Sequence, residues 1–469
     1  MRVALWNPPS PFLIDDRVFP PLGLLQVAAA CEEAGHEVSV LDLAGEADAV
    51  AQCEHILNTQ EFDVHGISAT TPQFPTAVAL CRAIKTISPN QKVILGGPHA
   101  TVSPESCGLF DVVVRGDGER AILQALLPEV SHVIDEATTT KKGLLDWHVP
   151  ARHLIDMESY RYSINGLKGT SMMLSQGCSF GCLFCSGRTI PYYRRVRTRS
   201  IDSVVREMEA LIEQYDMRAV MAFDDEVNLQ SAPLLEFCQK IAPLNMKFRA
   251  FVKANLFTDQ QAEAMAKAGF VEVCTGVESG SNRILGVIDK QTTREINKRF
   301  VDLAHKHGMR GKAFCSLGHP SESFETAEET KSWLIETHPD DFDITVLTIY
   351  PGTPIWEKRE HISFENERSI CRYVKHSKRP EEDGATLFFE EVNYAEEFCW
   401  YKGVPGAYVS HVWTPDLSKT DLVKLRDQIE DDVRKALGIP YPLRYSGDQF
   451  DHSMGQGVAV QDSRVALRE

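Results

Sequence analysis

The sequence predicts an α/β protein with a doubly wound parallel sheet, then a partial (β/α)6 barrel and a small C-terminal α+β region. Two observations predict this fold class. Over roughly the first 130 residues, short β-rich apolar runs alternate with helical segments, which is typical of a parallel sheet covered by helices. Between residues 166 and 360, six further strand-like runs alternate with helical ones, which is typical of a barrel.

Residues 1–135 form the first predicted domain, a Rossmann-like sheet. Its strand-like runs are 2–6, 37–43, 64–68, 93–95 and 112–114, and helical patterns cover 22–33 and 75–86. Ligands bind such sheets beyond the carboxyl ends of the strands. The sequence there is rich in glycines and small polar residues, which let the backbone approach a large flat ligand closely. The binding residues we predict are Ser68, Thr70, Thr71, Gln73, Gly96, Gly97, His99, Gly116, Gly118 and Glu119.

Residues 136–165 are predicted to be a linker, and residues 166–360 the barrel. The barrel strands are expected at 170–174, 219–223, 247–252, 271–277, 312–317 and 343–349, with helices at 201–215, 234–241, 259–267, 294–307 and 322–336. Two helices are predicted to begin with capping boxes, Thr258 with Gln261 and Thr292 with Glu295. Residues 361–469 form the C-terminal region, with an amphipathic helix near 419–437 and a tail from about 445 that we expect to be mobile.

The composition limits the classes of partner. The chain has 469 residues, a net charge of −17 and 25% charged residues, which is ordinary for a globular protein and argues against a nucleic-acid backbone as substrate. The basic run at 193–199 is either a solvated surface or an anion-binding segment. No apolar run is long enough to span a membrane, and the N-terminus lacks the pattern of a signal peptide. We therefore expect a cytoplasmic protein whose twelve cysteines are reduced.

Three cysteines stand close together directly after the first predicted barrel strand. Cys178, Cys182 and Cys185 form a CxxxCxxC motif, and three thiolates at this spacing can hold three irons of one 4Fe-4S cluster. No fourth cysteine is near in sequence, so the fourth iron would stay open to another ligand. A structural zinc site completed by a distant histidine and a set of buried free thiols are the two alternatives.

This motif is the signature of the radical S-adenosylmethionine enzymes, which the chain resembles, and Phe184 matches the family's aromatic position before the third cysteine. The resemblance implies that the open iron is chelated by S-adenosylmethionine. Further binding residues are implied at the ends of later barrel strands. The acidic run that includes Asp225 and Glu226 replaces the family's motif for the ammonium group, and Lys253 stands where an arginine often pairs with the carboxylate. In the frequent sequence Gly-Val-Glu-Ser, Glu278 is placed to bind the ribose hydroxyls, followed by Ser279, which can also cap a helix.

The sheet-edge loops of the first domain resemble the cobalamin-binding domain that precedes the barrel in one large subfamily. Over residues 1–360 the chain therefore resembles radical S-adenosylmethionine enzymes with an N-terminal cobalamin domain. The DxHxxG loop, whose histidine binds cobalt in other cobalamin proteins, is absent. His65 follows Asp63 as in that loop, but Ser68 replaces the glycine, so His65 is predicted to be structural. The expected cobalamin is base-off, with no histidine below the cobalt.

The resemblance implies C-methylation of an unactivated carbon in a small molecule or natural-product intermediate. The family's chemistry uses a 5′-deoxyadenosyl radical to remove hydrogen and methylcobalamin to supply the methyl group. The alternative is a radical cyclisation or ring rearrangement with the same cofactors and no methyl transfer. Either reaction needs an electron donor such as flavodoxin or ferredoxin.

Overall fold

The structure, a computed structural model, describes residues 1–10, 16–145, 148–398, 400 and 408–440. The expected tail from about 445 therefore lies outside the described residues. Among the described residues, no helix is both long and apolar enough to cross a membrane.

The N-terminal part is a six-stranded, wholly parallel sheet in the order β2-β1-β3-β4-β5-β6. Its strands and helices alternate along the chain, as the sequence predicts. The strands are β1 (Arg2–Asn7), β2 (Glu37–Asp42), β3 (Val64–Ser68), β4 (Lys92–Gly96), β5 (Val112–Arg115) and β6 (Val133–Asp135). The helices are α1 (Leu22–Glu33), α2 (Ala49–Thr59), α3 (Phe74–Ile87), α4 (Pro98–Val102) and α5 (Gly118–Ala125).

Helices cover both faces of this sheet, so its central strands β1, β3, β4 and β5 are largely buried. Leu5 and Ile94 pack in the layer that includes Leu24 of α1 and Ile122 of α5. The opposite layer is built around Phe74 at the start of α3. This two-sided burial confirms the doubly wound architecture.

The second part is a curled sheet in the order β16-β15-β14-β13-β12-β9-β8, with six parallel strands and β8 antiparallel at one edge. Its strands are β8 (Ser163–Ile164), β9 (Leu167–Met172), β12 (Ala219–Ala222), β13 (Lys247–Phe251), β14 (Phe270–Glu278), β15 (Arg310–Leu317) and β16 (Asp341–Val346). A small sheet beside it joins β7 (Gly143–Leu144), β10 (Ser175–Gln176) and β11 (Arg197–Thr198). The helices are α6 (Pro191–Arg194), α7 (Ile201–Tyr215), α8 (Ser231–Ile241), α9 (Asp259–Ala268), α10 (Asn282–Val287), α11 (Arg294–Lys306), α12 (Phe324–Thr337) and α13 (Pro354–Glu357).

The six predicted barrel strands are all present, and one of the two predicted capping boxes is confirmed. Thr258 and Gln261 cap α9 reciprocally. The prediction for α11 is wrong by one residue, because Thr293 rather than Thr292 is the N-cap and accepts from the N–H of Ile296. Thr292 instead donates its hydroxyl to the Asn297 side chain.

The C-terminal region is an antiparallel sheet followed by one long helix. Its elements are β17 (Glu360–Glu365), β18 (Arg368–Val374), β19 (Thr386–Glu390), β20 (Val412–Trp413) and α14 (Lys419–Leu437). Helix α14 packs against α12 and the edge strand β16. There, buried Arg426 donates to the carbonyl of Ile344. The helix thus covers an edge that would otherwise offer unpaired backbone groups.

Candidate functional site at the domain boundary

A cavity of about 350 Å³ lies where the carboxyl ends of the two parallel sheets meet. One wall comes from the first domain and the other from the barrel. The residues that line it are Leu5, Gly23, Leu24, Gln26, Val27, Gly66, Ile67, Ser68, Ile94, Gly96, Gly97, Pro98, Thr101, Val114, Gly116, Gly118, Glu119, Ile122, Met173, Ser175, Gln176, Gly177, Tyr192, Tyr193, Phe223 and Asp225.

A buried ion pair joins the two walls. Asp117, directly before α5, accepts two hydrogen bonds from Arg197 of β11, at 2.6 and 3.0 Å. Both side chains are at most 5% exposed, and such a bidentate pair fixes geometry well. Arg197 belongs to the basic run at 193–199, so this arginine is committed to an internal pair and is not available to an external anion.

The cysteine loop begins at the barrel-side wall of the cavity. Gly177 lines the cavity with φ of +89°, and a Cβ there would lie 2.5 Å from the carbonyl oxygen of Arg195. Only glycine fits that position. Cys178 follows, with its N–H bonded to the Tyr193 carbonyl and its own carbonyl accepting from buried Arg188 at 2.6 Å. The turn is thus held rigidly at the first cysteine.

The sulfur atoms of Cys178, Cys182 and Cys185 do not all lie within 4.8 Å of one another. Thiolates on one tetrahedral zinc lie roughly 3.8 Å apart, given a Zn–S bond of about 2.3 Å. Among the described residues, only His361, Cys371 and Glu391 bring three possible ligand atoms within 4.8 Å of one another. Burial raises the pKa of Cys178 above its ordinary value and that of Cys185 to about 12.

The group of His361, Cys371 and Glu391 in the C-terminal sheet is already neutralised. Arg359 forms an ion pair with Glu391 through Nε and lies over the Trp356 ring at 4.0 Å. We therefore do not regard it as a metal site.

The three carboxylates after β12 serve different purposes. Asp224 is buried and accepts from the N–H and the hydroxyl of Ser175, so it fixes the turn after β9. Asp225 accepts from the Gly177 N–H at 2.9 Å and faces the cavity. Glu226 has a buried Oε2 with no hydrogen-bond partner among the described residues. Desolvation raises its pKa to about 7, against the charges of Lys290 and Lys253. An unpartnered buried carboxylate oxygen is costly unless a donor binds it.

Two lysines lie beside the cysteine loop. Lys253 is 2% exposed, places its Nζ 4.5 Å from the centre of the Phe180 ring and donates to the carbonyl of Lys290. Burial and the neighbouring Lys290 lower the pKa of Lys253. Lys290 is 7% exposed and forms a 2.7 Å ion pair with Glu278. Burial opposes the charge of Lys290, but Glu278 raises its pKa overall.

Glu278 lies at an irregularity at the end of β14. Its φ is +63°, and the register with β15 shifts between Gly276 and Glu278. A Cβ on Gly276 would lie 2.3 Å from Oε1 of Glu278 and 2.7 Å from Nζ of Lys290, so this glycine makes room for the ion pair. Oε2 of Glu278 accepts from Ser316, whose oxygen lies 2.8 Å from Nε2 of buried His319. Burial would raise the pKa of Glu278, but Lys290 and Ser316 lower it overall.

Two further predicted residues border this group. Phe184 packs edge-on against His319, with ring centres 5.3 Å apart, and lies 5.9 Å from the Lys290 ammonium. Ser279 is fully buried, lies 3.2 Å from the Thr330 hydroxyl and accepts from the Ser281 N–H. Its hydroxyl therefore stabilises the turn into α10.

Of the ten residues predicted in the first domain, six line the cavity and four, including His99, do not. Those that line the cavity are Ser68, Gly96, Gly97, Gly116, Gly118 and Glu119. Thr70, Thr71 and Gln73 do not line it. Thr70 and Gln73 form a capping box before α3, and Gln73 also donates to the Pro8 carbonyl at 2.7 Å.

His65 and His99 lie within the core of this domain. His99 stacks on Phe74 with ring centres 3.8 Å apart, and burial lowers its pKa to about 3. His65 accepts from the indole N–H of Trp6 and lies 2.8 Å from the Gln91 side chain. These contacts support a structural role for His65.

The sequence analysis missed Lys290, Gln26 and the Tyr192–Tyr193 pair. Gln26 is 3% exposed on α1 and lines the cavity, and its Nε2 has no partner among the described residues. Neither Lys290 nor Gln26 belongs to a motif. Tyr193 begins the basic run at 193–199 and Tyr192 precedes it, and the aromatic character of both is a signal for a buried position.

The chain matches two family models. The B12 binding domain matches residues 16–126, and the Radical SAM superfamily matches residues 172–334. An uncharacterised methyltransferase from Pyrococcus horikoshii is 29% identical over 383 residues, which cover 76% of this chain and 83% of the relative. The anaerobic magnesium-protoporphyrin IX monomethyl ester cyclase of Rubrivivax gelatinosus is 25% identical over 356 residues, which cover 69% of this chain and 64% of the cyclase.

The fold of the whole chain is similar to that of a solved structure. The radical S-adenosylmethionine methyltransferase TsrM from Kitasatospora setae, with cobalamin and a 4Fe-4S cluster bound, has a TM-score of 0.69. The match covers 100% of this chain and 98% of TsrM at 18% sequence identity, and it shows a shared fold. The chain is therefore a radical SAM enzyme that carries a B12-binding domain ahead of its radical SAM domain.

Proposed function

We propose that the protein is a C-methyltransferase that acts on an unactivated carbon of a small molecule. The observation that carries this proposal is the single cavity lined by both the sheet-edge glycines and the start of the cysteine loop. Two cofactors bound on these walls would face the same substrate. Methyl transfer to a radical carbon requires that arrangement, because the methyl donor must lie next to the carbon that loses hydrogen.

We propose that cobalamin binds base-off in the part of the cavity between the first sheet and helices α1 and α5. Gly96 leaves room at the end of β4, since no atom lies within 4 Å of where its Cβ would lie, and Gly66, Gly97 and Gly116 line the cavity where the backbone packs closely against its neighbours. Gln26 offers an unpartnered amide donor to a polar atom of the cofactor. No histidine is among the described residues that line the cavity, which supports a cobalt without a histidine ligand below it.

We propose that Cys178, Cys182 and Cys185 hold a 4Fe-4S cluster and that S-adenosylmethionine binds beside it. Glu226 would accept from the ammonium group through its free Oε2, and Lys253 would attract the carboxylate. Glu278 would bind the ribose hydroxyls and Phe184 the adenine ring. Lys290 keeps Glu278 ionised, which an acceptor of two hydroxyl donors requires.

When bound, these cofactors supply the radical that removes hydrogen and the methyl group that replaces it. The residues of the chain orient the reactants and exclude water. Asp117 and Arg197 hold the two walls together, while Asp225 ties the cysteine loop to β12. We also propose a one-electron donor of the flavodoxin or ferredoxin class, since Cys185 is partly exposed and Ser186 beside it is exposed.

We further propose the domain limits 1–135, 136–165, 166–360 and 361–469. Each matched family segment falls within one of the two large divisions. The layer of the first sheet around Leu24 packs separately from the core of the barrel, whereas the C-terminal region, with Leu387 and Val433, shares the barrel's core.

A radical cyclisation without methyl transfer is the second candidate function. It is favoured by the cyclase relative from Rubrivivax gelatinosus, and it would use the same cavity and the same residues. The two functions differ in what happens to S-adenosylmethionine. Methyl transfer consumes one molecule to methylate cobalamin and leaves S-adenosylhomocysteine, whereas a cyclase yields only 5′-deoxyadenosine and methionine.

The test is an anaerobic reconstitution with iron, sulfide and hydroxocobalamin, followed by reduction and addition of S-adenosylmethionine with a deuterated methyl group. The proposal predicts labelled methylcobalamin and S-adenosylhomocysteine, and a product heavier by one labelled methyl group once a substrate is supplied. Formation of 5′-deoxyadenosine with no labelled methylcobalamin would favour the cyclase. A cysteine variant, Cys182→Ala, serves as the control that cannot form 5′-deoxyadenosine.

A further inference from the structure

Four phenylalanines line the concave face of the barrel sheet. Phe223 directly follows β12, Phe251 is the last residue of β13, and Phe314 lies within β15. Phe19 lies in the loop after β1. Each of the four rings is partly exposed. The residues that flank Phe251 (Ala250 and Val252) and Phe314 (Ala313 and Cys315) are buried. The alternation places these rings on the face away from the covering helices.

The rings form a continuous aromatic surface. Phe251 and Phe314 have ring centres 5.4 Å apart, and Phe19 meets Phe223 edge-on at 4.6 Å. Phe19 also lies 4.5 Å from buried Tyr162. Phe223 lines the cavity at the domain boundary, so the surface is continuous with the space between the proposed cofactor sites.

Phe19 is contributed by the first domain, and its loop is fixed to the end of the linker, just before β8. The carbonyl of Arg17 accepts from the N–H of Arg161, and the Arg17 guanidinium bonds to both Asp42 and Ser159. The two domains therefore build this surface together.

The charges near the aromatic surface already have partners. Below it, Arg249 pairs with Glu272 at 3.2 Å, and Lys312 pairs with Asp341 and Asp343 at 2.8 and 3.3 Å. Above it lie Lys253 and Glu278, to which we assign S-adenosylmethionine. A charged or strongly hydroxylated group placed on the rings would lose its hydration without gaining partners.

We propose that the part of the substrate that enters the barrel is an uncharged hydrocarbon group, aromatic or aliphatic, held against Phe19, Phe223, Phe251 and Phe314. This inference rests on the proposed function for the placement of the cofactors. It assigns the substrate class: a molecule with an apolar portion that contains the reacting carbon. Its polar groups lie toward the domain boundary, where Asp225 and Gln176 line the cavity.

Equilibrium dialysis of radiolabelled cyclohexanol and myo-inositol against the reconstituted holoenzyme with S-adenosylmethionine tests the inference. The two probes share a six-membered carbon ring and differ in hydroxyl number. Cyclohexanol is expected to bind at least tenfold more tightly than myo-inositol. Equal binding of the two, or no binding of cyclohexanol, would overturn the inference. Failure of methyl transfer would leave this result unchanged, because the measurement reports binding alone.

Variants locate the binding site. Phe251→Ser is expected to weaken cyclohexanol binding at least fivefold, whereas Phe251→Leu, which stays apolar, stays within about twofold of the parent protein. Phe324→Ser, a change at a phenylalanine that is 55% exposed at the start of α12, is the matched control and should have no effect. If Phe251→Ser fails to retain its cofactors, Phe314→Ser replaces it. Unchanged binding in a loaded serine variant would refute the assignment.

Discussion

At the scale of single residues, the site contains buried charged side chains, each of which is stabilised by an oppositely charged neighbour. Lys290 and Glu278 form an ion pair that is largely shielded from water, and Gly276 leaves the space that the pair occupies. Removing one partner of such a pair leaves an uncompensated charge, which costs more than the pair contributes. The proposed nucleoside-binding role of Glu278 therefore depends on Lys290.

We predict that Lys290→Ala raises the pKa of Glu278 and weakens S-adenosylmethionine binding at least tenfold, with Lys290→Arg less affected. The physical reason is that Lys290 is the main group that opposes the effect of burial on Glu278. Calorimetric titration of the reconstituted protein measures the affinity. Lys298→Ala, which removes an exposed partner of Asp302, is the control, and an affinity for Lys290→Ala equal to that of the parent protein would contradict the prediction.

Glu119 gives a prediction of pH dependence. Burial and the nearby Asp117 raise its pKa to about 7, so the folded protein holds this proton more tightly than the unfolded chain does. As pH rises from about 4.5 to 7, ionisation of Glu119 favours unfolding. Glu119→Gln should therefore be stabilised relative to the parent protein above pH 7, by up to roughly 3 kcal/mol, and hardly at all near pH 4.5.

Urea denaturation of the apoprotein at pH 5 and pH 8 measures this difference. Glu129→Gln, at an exposed position before β6, should show no such pH dependence. A difference between Glu119→Gln and the parent protein that is the same at both pH values would count against the raised pKa.

At this scale, candidate site residues could be predicted from the sequence where they belong to a short motif. Cys178, Glu226 and Glu278 are each found from a short pattern at a strand end, and the structure brings all three to one side of the barrel mouth. Lys290 and Gln26 could not be found this way, because they approach the site only through the packing of α10 and α1. His99 shows the converse: it belongs to a ligand-binding pattern, yet its ring stacks within the core.

At the scale of elements, the loops after β3, β4 and β5 shape the first wall of the cavity. A glycine in these loops contributes most to the open volume of the cavity where no protein atom lies near the position that a Cβ would occupy. Gly96 is such a position, since nothing lies within 4 Å of its expected Cβ and it lines the cavity. A larger side chain there would occupy the cavity without displacing protein atoms.

We predict that Gly96→Leu lowers cobalamin binding at least tenfold and leaves the cluster and the fold intact. The reason is steric: the leucine side chain would fill space that the cofactor needs. Cobalamin and iron are measured after reconstitution and desalting. Gly108→Leu has equally open surroundings but lies outside the cavity, and it should bind cobalamin normally; full cobalamin binding by Gly96→Leu would place the cofactor elsewhere.

Both parallel sheets could be predicted at this scale, because buried parallel strands read as short apolar runs. For the C-terminal region the sequence predicts only an α+β arrangement, and its individual strands could not be placed. Strand β17 is exposed along its whole length and reads as polar sequence, so neither periodicity nor composition marks it. The one-residue error at Thr292 has a related cause, since two adjacent threonines are equally good caps and only backbone geometry selects between them.

At the scale of the whole molecule, the fold brings the ligand-binding edges of two parallel sheets face to face. The pair of Asp117 and Arg197 ties them, and Phe19 extends from the first domain into the barrel. This arrangement could be expected from the order of the domains, but the shape of the shared cavity depends on contacts between residues that are far apart in sequence.

The central claim is that cobalamin and the iron–sulfur cluster lie next to one cavity, and electron paramagnetic resonance of the reconstituted protein tests it most directly. Reduced with dithionite, the protein should hold cob(II)alamin and a reduced cluster, both paramagnetic. The account predicts that the cob(II)alamin signal relaxes faster in the loaded protein than in Cys182→Ala, which lacks a cluster ligand. Identical relaxation in the two proteins, each with cobalamin bound, would mean that the cofactors are far apart and would contradict the account.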